Sequence, residues 1–206
     1  MGGRFSMKKS KIIITISFLL VSVILCSALV MSQDTVKYKI DIFRAEQEYK
    51  KSGDSSDLIH LVLALQKDGY FDKAITYSRE LIDVITEEGI MNSELSNTSY
   101  IELLENNSPR DIAIDVYLLT IMNAKEYELY TKEFVEFYPQ TSSDIRYNID
   151  VTPIEAYERT SDQEVINAAV KGYLEVAETT TDDLLKAQCE SHAKKLQSIA
   201  DGTLRT

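Results

Sequence analysis

Leu58–Leu81 reads LIHLVLALQKDGYFDKAITYSREL, and the parse of the whole chain turns on it. Leu58, Leu61, Val62 and Leu65 fall at i, i+3, i+4 and i+7, the spacing of one face of an α-helix. Ala74, Tyr77, Leu81 and Ile85 repeat nearly the same spacing after Gly69, a residue suited to a sharp reversal. The stretch therefore predicts two amphipathic helices, Asp57–Lys67 and Phe71–Glu87, folded back as a hairpin. Each helix is apolar on one face, so each needs neighbours there.

The same punctuation recurs along the chain. Ser99-Tyr100-Ile101-Glu102 and Ser161-Asp162-Gln163-Glu164 have the capping-box pattern. Ser108-Pro109 and Thr152-Pro153 each place a hydroxyl at an N-cap and proline at the first helical position, and Glu155 completes a third box. Asp57 and Thr181 are further cap candidates. Pro139 stands where a helix should stop, and Gly53, Gly89 and Gly202 read as helix ends. The resulting parse has a helix near Tyr38–Lys51 and a short one near Tyr100–Asn106. A second hairpin covers Pro109–Met122 and Ala124–Tyr138. A short helix lies at Pro153–Arg159, and a final pair covers Asp162–Glu178 and Asp182–Ala200. Ile145–Val151 alternates weakly and has no partner strand. The three hairpins start at residues 57, 109 and 161, each 52 apart, which suggests an ancient repeat.

Ahead of these helices lies Ile12–Met31, 20 residues without Asp, Glu, Lys or Arg. At a rise of about 1.5 Å per residue the run spans about 30 Å, the thickness of a hydrocarbon core. Secretory apolar segments are shorter, about 7–15 residues, so length favours a retained anchor. Cleavage after Ser32 or Ala28 remains the alternative. Cys26 follows Leu25, a poor fit to a lipoprotein site, and reads as apolar filling of the helix. Arg4, Lys8, Lys9 and Lys11 flank the run on its N-terminal side, which places that flank in the cytoplasm. The expected organisation is a basic cytoplasmic segment at 1–11, a single transmembrane helix or signal anchor at 12–31 and an extracytoplasmic helical domain at 33–206.

That domain is strongly acidic. All 33 acidic residues follow Ser32, whereas four of the 22 basic residues precede it, so the part after Ser32 carries a formal charge of −15. Such a surface repels nucleic acid, which excludes DNA or RNA as a partner class. Cys189 has no second cysteine in this part, so packing rather than a disulfide must hold the fold.

The sequence assembles no active site. It has no phosphate loop, dinucleotide fingerprint, Cys-x-x-Cys, His-Glu-x-x-His or nucleophile elbow. His60 lies between apolar positions and reads as a structural histidine. Cys189 and His192 share a helical face, but acidic neighbours oppose a thiolate there. The acidic groups Asp54–Asp57, Glu126–Glu128 and Asp182-Asp183 lack the ligand spacing of a calcium loop, and two of them stand at helix starts. No catalytic, cofactor or metal-binding residue is expected. The aromatic stripe Tyr127, Tyr130, Phe134, Phe137 and Tyr138 follows helical spacing, and Tyr127, Tyr130 and Phe134 are its candidates for contact with a partner.

The hairpin at Leu58–Leu81 resembles a tetratricopeptide repeat. The large, small and aromatic places of that family fall on Leu58, Leu61, Val62, Leu65, Phe71, Ala74, Ser78 and Leu81, with GYFDKAI as the most typical part. Val62 stands where the family has a small residue. YTKEFVEFYP, from Tyr130 to Pro139, is similar to the end of such a repeat, with Tyr127 at the alanine place. LLKAQCESHAKKLQSIADG matches only as a hairpin. The resemblance implies an all-α fold of stacked hairpins, an α-solenoid, with a concave face that binds a peptide or protein and no catalysis; an irregular helical bundle is the competing form. The expected function is a membrane-anchored adaptor or scaffold. The alternative is an exported enzyme or secreted binding protein released by cleavage.

Overall fold

A computed structural model describes residues 39, 41–97, 102, 104–105, 107–142, 146 and 152–203. Two compact units are formed, Met1–Arg44 and Ala45–Thr206. The first is described at residue 39 and residues 41–44, all helical. The expected membrane segment 12–31, Cys26, both cleavage points and the Ser99 capping box lie outside the described residues. So does most of the expected helix at 100–106, although 102 and 104 are helical, and most of 145–151, where Arg146 is helical. No helix among the described residues is long and apolar enough to cross a membrane.

The described residues are all-α, with no strand. Helix α1 covers 41–52, and from Ala45 onward it belongs to the second unit. There follow α2 (Ser55–Lys67), α3 (Phe71–Val84), α4 (Glu87–Met91), α5 (Pro109–Asn123), α6 (Tyr127–Phe137), α7 (Thr152–Thr160), α8 (Gln163–Thr179) and α9 (Asp183–Ala200), with 3-10 turns at Glu94–Asn97 and Tyr138–Gln140.

Local chemistry sets the helix starts, and several differ from expectation. Gly53 takes a left-handed φ of +66° directly after α1, so Asp54 is the first residue able to cap α2. Its carboxylate accepts the Ser56 N–H at 2.8 Å, while Asp57 accepts the Ser52 hydroxyl instead. Asp162 rather than Ser161 caps α8, because Ser161 is itself left-handed at φ +58°. Asp182 rather than Thr181 caps α9, taking the N–H groups of Leu184 and Leu185. Ser108 caps α5 as expected and is joined in a reciprocal box by Asp111. The hydroxyl of Thr152 and the carboxylate of Glu155 accept tyrosine hydroxyls from α6, a role their capping-box pattern did not suggest. Gly89 does not end a helix. It lies within α4, and a Cβ there would meet the Ser55 hydroxyl at 1.9 Å.

The helices stack in chain order. α2 pairs with α3, α3 packs on α5, α6 packs on α8, and α8 pairs with α9. α4 returns against α2, and α7 lies against α6 and α8. α5 is the middle of the stack and is buried almost all round: only Arg110, Leu119 and Asn123 are exposed. Gln66 of α2 reaches it, donating to the Thr120 hydroxyl at 2.5 Å.

Three hairpins repeat within this stack. The caps of their first helices, Asp54, Ser108 and Asp162, are spaced by 54 residues each time. The caps of their second helices, Tyr70, Glu126 and Asp182, are spaced by 56. The first two turns share one hydrogen-bond pattern. Gly69 and Tyr70 donate to Gln66 and Leu65, and Lys125 and Glu126 donate to Met122 and Ile121. Gly69 is left-handed at φ +76°, and Lys125 takes the same conformation at φ +61°.

Candidate functional site

The aromatic stripe of α6 is mostly core. Tyr130 is 1 % exposed and Phe134, in full contact with its surroundings, is 0 % exposed. Tyr130, Phe134 and Tyr138 form a stacked ladder with centroid separations of 5.4 and 4.4 Å. Burial drives the Tyr130 and Tyr138 hydroxyls well above the ordinary tyrosine range. Of the three residues expected to meet a partner, Tyr130 and Phe134 present no surface, and Tyr127 alone is partly accessible.

The shared turn pattern explains why. Tyr127 begins α6 as Phe71 begins α3, and Tyr130 holds the place of Ala74. The residue at the alanine place is thus Tyr130, not Tyr127. The Tyr127 hydroxyl donates to Glu155 at 2.9 Å, which with the neighbouring carboxylate charge raises its pKa. The Arg159 guanidinium lies 5.8 Å from the Tyr127 ring centre.

A second aromatic group joins the first hairpin to the second. Arg79 of α3 sits over Phe137 at 4.4 Å and over Tyr117 at 5.9 Å. The two rings meet edge to face at 5.9 Å, and Tyr117 donates to buried Glu133 at 3.0 Å. A cation over ring faces is attracted by their quadrupoles, so Arg79 acts as a clamp between layers. The sequence offered no sign of it, since the pairing spans three helices.

Among the shallow concavities of the second unit, two border the first hairpin. One, about 400 Å³, lies between the first two hairpin turns and is lined by Tyr70, Phe71, Lys73, Ala124 and Glu126. Tyr70 is 42 % exposed there. The other, about 380 Å³, is lined by Glu48, Asp57, His60 and Glu94 with neighbouring Ser and Asn. His60 is therefore not a core histidine. It is exposed, with Nδ1 2.5 Å from Glu94 Oε1. Its neighbours Ile59 and Leu61 turn inward, and His60 takes the outward strip of α2.

Cys189 is fully buried, and burial pushes its thiol pKa up. His192, on the same helix, stacks on Tyr173 at 5.3 Å. Asp54 and Asp182 cap helices, and no group of three or more His, Cys, Asp or Glu able to hold a metal occurs among the described residues. Comparison with protein families, with characterised proteins and with solved structures finds no match, so the geometry of this chain alone carries the functional argument.

Proposed function

We propose that the chain is a non-catalytic, membrane-anchored interaction protein whose tetratricopeptide-like hairpins hold a protein or peptide partner at the outer face of the membrane. The observation that carries this reading is the recurrence of capped hairpins at a constant spacing of 54 residues. Repeated layers each contact their neighbours and leave an extended surface along the array for a ligand. The spacing exceeds the tetratricopeptide length of about 34 residues. The excess holds the additional helices α4 and α7 that follow the first and second hairpins.

The turn edge of the array is the surface we assign to the partner. Tyr70 and Tyr127 stand on adjacent turns, and each combines an apolar ring with a polar tip, a combination favoured at interfaces. The formal charge of −15 after Ser32 selects a cationic partner segment and disfavours nucleic acid. Residues 12–31 supply the anchor, with the basic residues at 1–11 in the cytoplasm.

Crosslinked pull-down from membranes tests this. Tyr70→Ala and Tyr127→Ala should lose one discrete partner band that wild type captures, while melting is unchanged, and added salt should weaken capture. Undiminished capture by both variants would remove the turn edge as the surface. A mature N-terminus at Leu29 or Gln33 would replace the anchored protein with a secreted one.

A further inference from the structure

Helix α1 turns one face inward and one face out. Ile42 and Ala45 are buried, and the Tyr49 ring meets the Tyr77 ring edge to face at 6.3 Å. Glu46, beside them, is occupied by Lys50, Lys73 and the Tyr77 hydroxyl. At about 100° per residue the opposite face carries Phe43, Arg44, Gln47 and Lys51, and all four are exposed. No carboxylate stands among them. Phe43 is 64 % exposed, more than any other described aromatic residue. The strip is also an exception in charge. Residues 33–51 hold five basic and four acidic residues, a net of +1, whereas residues 52–206 hold 13 basic and 29 acidic ones, a net of −16.

The place of the strip in the chain says what covers it. Seven residues, 32–38, separate Lys39 from the apolar run that ends at Met31. A chain of that length reaches at most about 25 Å, so the start of α1 is tethered within reach of the lipid headgroups. A helix that presents an apolar ring between basic side chains lies in the plane of such an interface, with the ring toward the acyl chains and the cations among anionic headgroups. The strongly acidic remainder is repelled by the same surface, which leaves the basic strip to make the approach. We infer that the outward face of α1 lies on the membrane surface, with the Phe43 ring at the boundary of headgroups and acyl chains and Arg44 and Lys51 on anionic lipid headgroups. This rests on the retained anchor at 12–31. The contact holds α1 flat on the lipid, and α3, which α1 meets through Glu46 and Tyr49, keeps a fixed orientation to the membrane in place of swinging on a tether.

The chain contains no tryptophan, so Phe43→Trp introduces a single reporter at an exposed position. The full chain carrying it is reconstituted into phosphatidylcholine vesicles that contain phosphatidylglycerol, with and without bromine on the acyl chains. Bromine should cut its emission about twofold, as for a ring seated at the acyl boundary. Leu184→Trp, placed on α9 at an equally exposed apolar position, should keep its emission. Adding Arg44→Glu and Lys51→Glu to the Phe43→Trp chain should restore most of the lost intensity. Unquenched Phe43→Trp emission in a chain that stays with the vesicles through a carbonate wash would overturn the inference and leave the anchor standing. A blue shift without quenching would assign the strip to a second copy of the chain and overturn it too. Equal quenching of the Leu184→Trp chain, or quenching that survives the two charge reversals, would likewise overturn it. Loss of the chain in the carbonate wash would remove the anchor, and the inference with it.

Discussion

Ala74 and Tyr130 hold the same place in successive hairpins. Each is the fourth residue of its second helix, and each donates its N–H to the residue before that helix, Ala74 to Tyr70 at 3.0 Å and Tyr130 to Glu126 at 2.8 Å. Both are buried. The first hairpin closes on a methyl group at this place, and the second is filled by a ring.

The pair predicts opposite sensitivities. Ala74→Leu adds volume where none is free and should cost about 1–3 kcal/mol. Tyr130→Ala leaves a void and should cost about 3–5 kcal/mol. Urea denaturation of residues 33–206 measures both. A neutral Ala74→Leu would show that the first hairpin is not closely packed at that point.

Gly172 makes a similar demand on the third hairpin. A Cβ there would lie 2.4 Å from Cε1 of Tyr138, a ring with no exposed surface. Alanine favours helix over glycine by about 1 kcal/mol. The clash should outweigh that gain, so Gly172→Ala should be net destabilising, within the range of about 1–3 kcal/mol for overpacking. Adding Tyr138→Leu to the same chain should recover part of the loss. Equal stability of wild type and Gly172→Ala would mean that the Tyr138 ring yields freely.

Acid should loosen α1 from α3. The Glu46 carboxylate accepts from Lys50 at 2.7 Å and from the Tyr77 hydroxyl at 3.1 Å, with Lys73 at 3.5 Å. The bond from Lys50 is the largest cause holding its pKa below the usual value. A depressed carboxylate contributes stability that is present above the ordinary glutamate pKa, near 4.3, and is lost as pH falls through the lowered one. Wild type should exceed Glu46→Gln in urea midpoint at pH 6, and the two should converge below about pH 4. A gap that does not change with pH would assign the effect to packing.

Cys189 should be silent in the folded chain. With no exposed surface and a thiol pKa raised by burial, it offers little thiolate to a reagent. In residues 33–206, which contain no other cysteine, a disulfide reagent should react slowly in buffer and fully in denaturant. Rapid reaction in buffer would reveal opening between α8 and α9.

Helix boundaries were readable wherever a cap or a proline marked them. The last pair, expected at Asp162–Glu178 and Asp182–Ala200, differs from α8 and α9 by one residue at three of its four ends and coincides at Ala200. The places within helices were harder. α5 has 15 residues where α2 has 13, so the second helix of the second hairpin is displaced by two positions relative to the first. The tetratricopeptide resemblance of the stretch ending at Pro139 puts the alanine place at Tyr127, and only the turn geometry moves it to Tyr130. His60 was misjudged because α2 is apolar on most sides, which leaves its outward strip without a signal in the pattern. The Arg79 clamp depends on tertiary contact alone.

The near-complete burial of α5 has a consequence for cutting the chain. A helix with no polar side cannot stand at the end of an array. A cleavage between Asn97 and Ser108 that separated the first hairpin would uncover α5 along the side α3 now shields, leaving apolar side chains bare to water. The remaining piece would begin with a sticky edge, where α9 closes the other end with a charged one. Removing α9 would bare an apolar row as well, from Val165 to Ala177 on α8, so the array holds its solubility only with both of its end helices in place. Sedimentation of a protein cut before Ser108 should show self-association where the whole array is monodisperse.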